Sequence, residues 1–344
     1  MDLGLEIFES FAGGIINNDL FFYTFPDCNL VKMNLESGEV IWINNNHNFD
    51  DLPNYLTINA NKVFRCGNKG NLLTCYDLKI EKEYFFELNV KSGTGTNILN
   101  MFSFQNLVFI VPKYEKKIII YDVIKKIFIE KGYHDIVENL ELSDCIKEGD
   151  RVWIWGKDKS EIVIFEMKKM EFQKIELQEN LRIKYISINS GRIVFLTDNN
   201  DVYNYNIETN NLTLIWECFD ISMDFDRIHL VGEDGKLIIL LPSINYNEII
   251  LLENGETKIY NEYPDKFEYI FPQQHKYVRY AESSEQYVYP MRSANYCLRI
   301  NKCDGKIDWV QPRISRDTIY KVLVEAGVVK ESKISTLDGF LNIL

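Results

Sequence analysis

Four histidines and seven cysteines are the groups in this chain best suited to metal binding or nucleophilic chemistry. The histidines are His47, His134, His229 and His275, and none stands at metal-ligand spacing from another. The cysteines are Cys28, Cys66, Cys75, Cys145, Cys218, Cys297 and Cys303, and no two form a CxxC pair. Scattered thiols of odd number fit a reducing compartment, so a cytoplasmic protein is expected. Asp198-Asn199-Asn200-Asp201 has the acidic look of a calcium loop. It lacks the glycine and the closing glutamate that such a loop needs, and a hairpin turn explains it better. GxSxG, HExxH and P-loop patterns are absent. No metal, no cofactor and no catalytic residue is therefore assigned from sequence.

A different chemistry needs only aromatic and basic side chains around a depression, the usual anchors of a peptide or ligand. Phe25, Arg65, Lys113, Trp155, Lys157, His275, Tyr289 and Arg292 are candidates for such a face. They come from separate parts of the chain, so only a repetitive scaffold could gather them.

That scaffold is legible. An apolar run reaches a polar residue, passes a tight turn and continues as a second apolar run. The polar centres are Asn34, Asp77, Asp122, Glu166, Asn206, Glu253 and Asn301. A period of roughly 40–45 residues marks a β-propeller. Each unit reads as four strands, A to D from inside to outside, with the polar residue ending strand C. Its ordinary role is to bond the backbone of the C–D turn. Seven units fall near residues 11–44, 55–88, 98–131, 145–177, 185–218, 227–261 and 277–310. The expected fold is an all-β, seven-bladed propeller of four-stranded antiparallel blades over 1–312, with six or eight blades as alternatives.

The A strands are the least distinct. They are placed at Cys145–Glu148 in unit four, Arg227–Val231 in unit six and Tyr277–Tyr280 in unit seven. This puts His229 on an A strand and His134 and His275 just before two others. A histidine site would need these to meet in the channel. Long D–A connections at 131–144 and 261–275 are where function tends to sit, and 135–140 could form a helical turn. After unit seven the period changes. Residues 315–327 read as a helix, and Ser335-Thr336-Leu337-Asp338 as a capping box. Leu337, Phe340, Leu341 and Leu344 then share one face, so 313–344 is expected to pack as a helical tail on the ring.

Net charge is −13 and 46% of residues are hydrophobic. Such a chain repels phosphate backbones, so nucleic acid is not an expected partner. The first residues lack a basic segment followed by an apolar one, and no run approaches the ~18 apolar residues of a membrane span. Neither secretion nor a membrane is expected.

Leu35-Glu36-Ser37-Gly38-Glu39-Val40-Ile41-Trp42 and Asn301-Lys302-Cys303-Asp304-Gly305-Lys306-Ile307-Asp308-Trp309 resemble the quinoprotein-type propeller repeat. Asn206 to Trp216 is a weaker copy. The chain as a whole resembles the uncharacterised kelch- and WD40-like cytosolic propellers of Gram-positive bacteria. The glycine-histidine and Trp-Asp signatures of WD40 repeats are missing, and Gly13-Gly14 is the sole double glycine. Trp42, Trp216 and Trp309 read as core between blades, so the resemblance implies no quinone. The function expected is non-catalytic: a binding or scaffold propeller presenting one face to a protein or peptide. A small-molecule or carbohydrate ligand is the lesser option. The alternative is a lyase, hydrolase or epimerase working on a sugar or peptide in the funnel.

Overall fold

The computed structural model describes residues 13–23, 29–44, 53–67, 69–91, 93, 96–137, 141–156, 161–177, 181–189, 191–220, 222–244, 246–269, 276–277, 279–290 and 294–314. The expected helices beyond 314, and the long stretch 270–275, lie outside them.

The apolar B and C runs become strands buried on both faces. Val63–Cys66, Leu73–Tyr76, Val108–Val111 and Ile162–Phe165 are buried without a break. Continuous burial means that each sheet is covered on both sides, and its neighbours do the covering. Phe109, Ile118 and Ile120 pack on Val152, Ile154 and Val163 of the next sheet. The same arrangement runs around the molecule and ends with Ala281, Val288 and Cys297 against Leu20, Phe22 and Val31. The last unit thus meets the first. Seven antiparallel sheets form a seven-bladed propeller. Each buried Phe, Ile or Leu is worth roughly 1.5–3 kcal/mol, so the seams between blades hold most of the stability.

The repeated polar residue does what local chemistry predicts. Asn34 Oδ1 accepts from the N–H groups of Glu36 and Ser37 at 3.0 and 2.9 Å. Asp122 accepts from Ile124 and Lys125, Asn206 from Glu208 and Thr209, and Asn301 from Cys303 and Asp304. Asp77 accepts from Lys79. Glu166 departs from this, pairing with Arg151 and Lys169 at 3.2 and 2.5 Å. Four residues after these centres the backbone turns left-handed, at Gly38, Glu81, Lys126, Met170, Asn210 and Gly305. Each bond contributes on the order of 1 kcal/mol and sets the hairpin register.

Closure is reinforced outside the seams. Arg313–Ile314 leave the last blade and pair in parallel with Glu39 and Val40, the outer strand of the first. Arg313 N–H donates to the Gly38 carbonyl at 2.7 Å. A Cβ on Gly38 would lie 2.0 Å from the Gln311 carbonyl oxygen, so this crossing needs glycine there.

The inner strands differ from expectation most in units four and seven, and unit six's starts two residues early, at Phe225. Unit four's strand is Leu142–Glu148, which takes Asp144 out of the preceding loop. Unit seven's is only Ala281–Glu282. Its expected start, Tyr277, is held elsewhere, because the N–H groups of Lys276 and Tyr277 donate to Asp226 Oδ2. Lys276 Nζ is also buried against the carbonyls of Ser243, Ile244 and Tyr246. These bonds outcompete sheet pairing for that segment. A single turn over 133–136, closed by Ile136 N–H donating to the Tyr133 carbonyl, precedes most of the stretch 135–140 in which a helical turn is expected. Residues 138–140 lie outside the described ones.

Gly38→Ala should destabilise the ring by more than the roughly 1–2 kcal/mol of left-handed strain alone. Gly191→Ala is the control, since φ there is also positive (+78°) but nothing lies within 4 Å of an added Cβ. Denaturant unfolding giving equal losses for both would remove the closing contact from the account.

Candidate functional site

The innermost strands are Gly13–Ile16, Pro53–Asn59, Ile98–Phe104, Leu142–Glu148, Ile183–Asn189, Phe225–Val231 and Ala281–Glu282. Five of them lose register with their neighbour near their start: at Pro53/Tyr55, Leu142/Asp144, Ile183/Tyr185 and Phe225/Arg227, and opposite Val111/Pro112. A bulge re-aims the side chain that follows it. The first residues back in register are Tyr55, Asn100, Asp144, Tyr185 and Arg227. Each sits four residues before the end of its inner strand. Counted back from Ser283, whose N–H bonds the Gln286 carbonyl, Arg279 holds the same place in blade seven. Six blades therefore contribute a polar or tyrosine side chain at one level.

These side chains meet. Arg227 Nη1 donates to Asp144 Oδ2 at 2.9 Å, across blades 83 residues apart in sequence. Arg279 Nη1 lies 3.5 Å from the other oxygen of Asp144. Arg279 Nη2 donates to the Tyr55 hydroxyl at 3.0 Å, and that hydroxyl donates to the Ile98 carbonyl at 2.5 Å. Asn100 Nδ2 reaches the Cys145 carbonyl at 3.3 Å. Each guanidinium also lies over a ring, Arg227 at 4.2 Å from the Tyr185 centroid and Arg279 at 4.8 Å from that of Tyr55. Such contacts favour Arg, whose weakly hydrated plane tolerates burial.

Burial opposes charge on both arginines. Tyr185 and Asp144 more than offset it for Arg227, and Tyr55 and Asp144 do so for Arg279, so both are held above the usual guanidinium range. Burial pushes the Tyr55 and Tyr185 phenols up, against the pull of the arginines.

Two connected cavities of about 340 and 450 Å³ follow the ring axis and share Lys147, Arg227, Tyr280, Glu282 and Lys302 in their walls. Both fall in the size range of ligand sites. Midway, His229 Nε2 bonds the Tyr289 hydroxyl at 2.5 Å and stacks on Tyr287 at 4.1 Å. Burial, then Arg227 and Lys302, hold its pKa well below the ordinary imidazole value. Toward the A–B hairpins stand Glu148 and the Lys302–Glu282 pair at 2.5 Å. Burial raises the pKa of Glu148. Among the described residues, no three His, Cys, Asp or Glu side chains cluster closely enough to hold a metal ion.

Of the residues expected on a partner face, Tyr289 is buried and belongs to the channel through His229. Arg65 is buried, 4.5 Å from the Tyr23 ring centroid and 3.4 Å from Glu83. Trp155 is fully buried in a seam between blades, opposite Asp144 in the sheet. Of the three, only Tyr289 reaches the central depression expected from sequence, and it does so through His229. Lys113 lies 5.7 Å from the Tyr114 ring. Phe25, Lys157, His275 and Arg292 lie outside the described residues. Of the described histidines, only His229 lines the channel. Asp144, Arg227 and Arg279 were not singled out from sequence. Aligning the inner strands on their hairpins, and reading back four residues, would have found them.

Asp144→Asn should cost about 3–5 kcal/mol, because it leaves a buried guanidinium without its counter-charge. Asp144→Asn combined with Arg227→Met should recover much of that loss, and additive losses in the double-mutant cycle would refute the coupling. His229 gives a pH signature. A depressed folded pKa means its contribution is complete above ~6.5 and is lost as pH falls below that value. Wild-type stability should drop by up to about 1.4 kcal/mol per pH unit below ~6.5, relative to His229→Gln. Parallel stability curves for the two proteins between pH 7 and 5 would exclude a buried neutral His229.

No protein-family model matches the chain, and no curated protein matches it. Solved structures do resemble it. A catalytically inactive virginiamycin B lyase from Staphylococcus aureus, with quinupristin, is 16% identical at a TM-score of 0.54, over 77% of this chain and 85% of that one. The RRP9 WD40 repeats are 9% identical at 0.56, over 89% and 95%. BamB from Moraxella catarrhalis is 11% identical at 0.53, over 88% and 83%. At these identities the likeness is one of fold, and it joins the seven sheets in making this chain a seven-bladed β-propeller.

Proposed function

We propose that this protein is a non-catalytic binding propeller that receives an acidic group of a peptide or protein partner in its central channel. The observation that carries this is the convergence of Arg227 and Arg279 on the one carboxylate of Asp144. Arg279 is the exposed member, with 21% of its side chain accessible, and its 3.5 Å approach to Asp144 is long for a hydrogen bond. A second carboxylate would balance its charge, and the planar fork of a guanidinium matches a carboxylate in two-point contact. Binding rather than turnover is favoured because the polar groups at this level hold one another, through Asp144–Arg227, Arg279–Tyr55 and Asn100–Cys145. The free thiols of Cys66, Cys75, Cys145, Cys218, Cys297 and Cys303 support a reducing, cytoplasmic setting.

The fold itself does not choose between binding and catalysis, since the lyase and the WD40 repeats share it. The enzymatic reading, on a sugar or peptide, is favoured by one observation. Glu148 and the Tyr280 hydroxyl line the channel and make no hydrogen bond among the described residues.

A pool of random tetrapeptides with free carboxyl ends should raise the melting temperature, and the same pool amidated should not. Arg279→Gln should weaken binding at least tenfold, about 1.4 kcal/mol. Equal responses to both pools, or none, would reject the proposal. New masses in the incubated pool would establish the enzymatic reading instead.

A further inference from the structure

We infer that the channel ligand is a short linear peptide with both ends free, its carboxylate at Arg227 and Arg279 and its ammonium at Glu148. This rests on the reading of the arginine end given above. The chemistry reverses along the channel. Asp144 and Glu148 share an inner strand and, four residues apart, one face of it. Four residues of strand span about 13 Å. Around Asp144 the cations outnumber the anions. At the Glu148 end the half-buried carboxylate makes neither a hydrogen bond nor an ion pair among the described residues; Arg151 and Lys302 act on it only through space. Lys302 is engaged by Glu282 and by the ring of Tyr287, at 2.5 and 4.4 Å.

A second observation at this end is independent of the carboxylate. Tyr287 is 92% buried (8% exposed) and lines the same cavity, yet its hydroxyl has no hydrogen-bond partner among the described residues. A hydroxyl acceptor lining the same cavity as an uncompensated carboxylate suits a primary ammonium, which carries three donors. An extended chain spans at most 3.3–3.6 Å per residue, so three to four residues bridge the two ends.

The test uses tri- and tetra-alanine with both ends free, N-acetylated, or C-amidated, titrated calorimetrically into the full-length protein. The free peptides should bind, and each blocked form should bind at least tenfold more weakly. In Glu148→Gln the free and N-acetylated forms should bind alike while amidation still weakens binding. Tyr287→Phe should lose affinity for the free peptide severalfold without a change in melting temperature. Equal binding of free and N-acetylated peptides to the wild type would overturn the ammonium end and leave the arginine end standing. Insensitivity to both blocks, or binding by no form, would overturn both. The comparison among wild-type titrations holds even if a variant fails to fold.

Discussion

A blade that is apolar on both faces cannot terminate the structure. Sheets such as Val108–Val111 with Ile118–Tyr121 must be covered on each side, and only another blade of the same kind fits. Seven of them satisfy that demand when the last covers the first, as Val288 and Cys297 cover Phe22 and Val31. The rest follows from closure. The inner strands are forced to face one axis, and the hairpins are forced to two opposite ends. The outer edge of blade one accepts Arg313–Ile314 as an added strand, which removes one exposed edge.

Closure fixes the positions of the inner side chains but not their identity. The seams need apolar residues, and the C–D turns need an acceptor such as Asn34 or Asp122. Neither demand reaches the residue that follows the inner bulge. Tyr55, Asn100, Asp144, Tyr185, Arg227 and Arg279 share a place and have little chemistry in common. The repeat thus supplies six equivalent anchor points, and this chain has filled them with one carboxylate, two guanidiniums, an amide and two phenols.

Much of the fold was legible because its causes are local. Asn34 or Asn301 before a tight turn reports the C–D hairpin in a few residues, and the uninterrupted apolar runs report burial on both faces. The site was less legible because its causes are distant. Arg227 reads as one charge in an apolar strand until a residue 83 positions earlier is set 2.9 Å away. Trp155 and Arg65 read as anchors around a central depression because a residue at a strand end resembles a loop residue in sequence, whereas both are buried. Unit seven misled for a related reason. Tyr277 alternates as a strand residue would, but Asp226 of the previous blade captures its amide. Gly13-Gly14 carried more than its pattern showed. A Cβ on Gly14 would lie 2.6 Å from Ile58, so blade one approaches blade two where side chains elsewhere stand between neighbours.

The Arg227–Asp144 pair is a poor way to gain stability. Bringing charges out of water costs several kcal/mol per ion, and well-packed apolar residues in their place are often neutral or better. A carboxylate and one guanidinium could at least cancel, but here a second guanidinium joins them. Its presence is unfavourable beside Arg227, which lowers the affinity of Arg279 for its proton. The stacking on Tyr55 and the bond to its hydroxyl offset that repulsion without adding a negative charge. The Asp144 level of the channel therefore keeps an excess of one cation, in place and partly open to solvent. A scaffold with six free anchor points had apolar solutions available at each of them. That it holds an unbalanced, pre-oriented guanidinium is best explained by an anion that completes it.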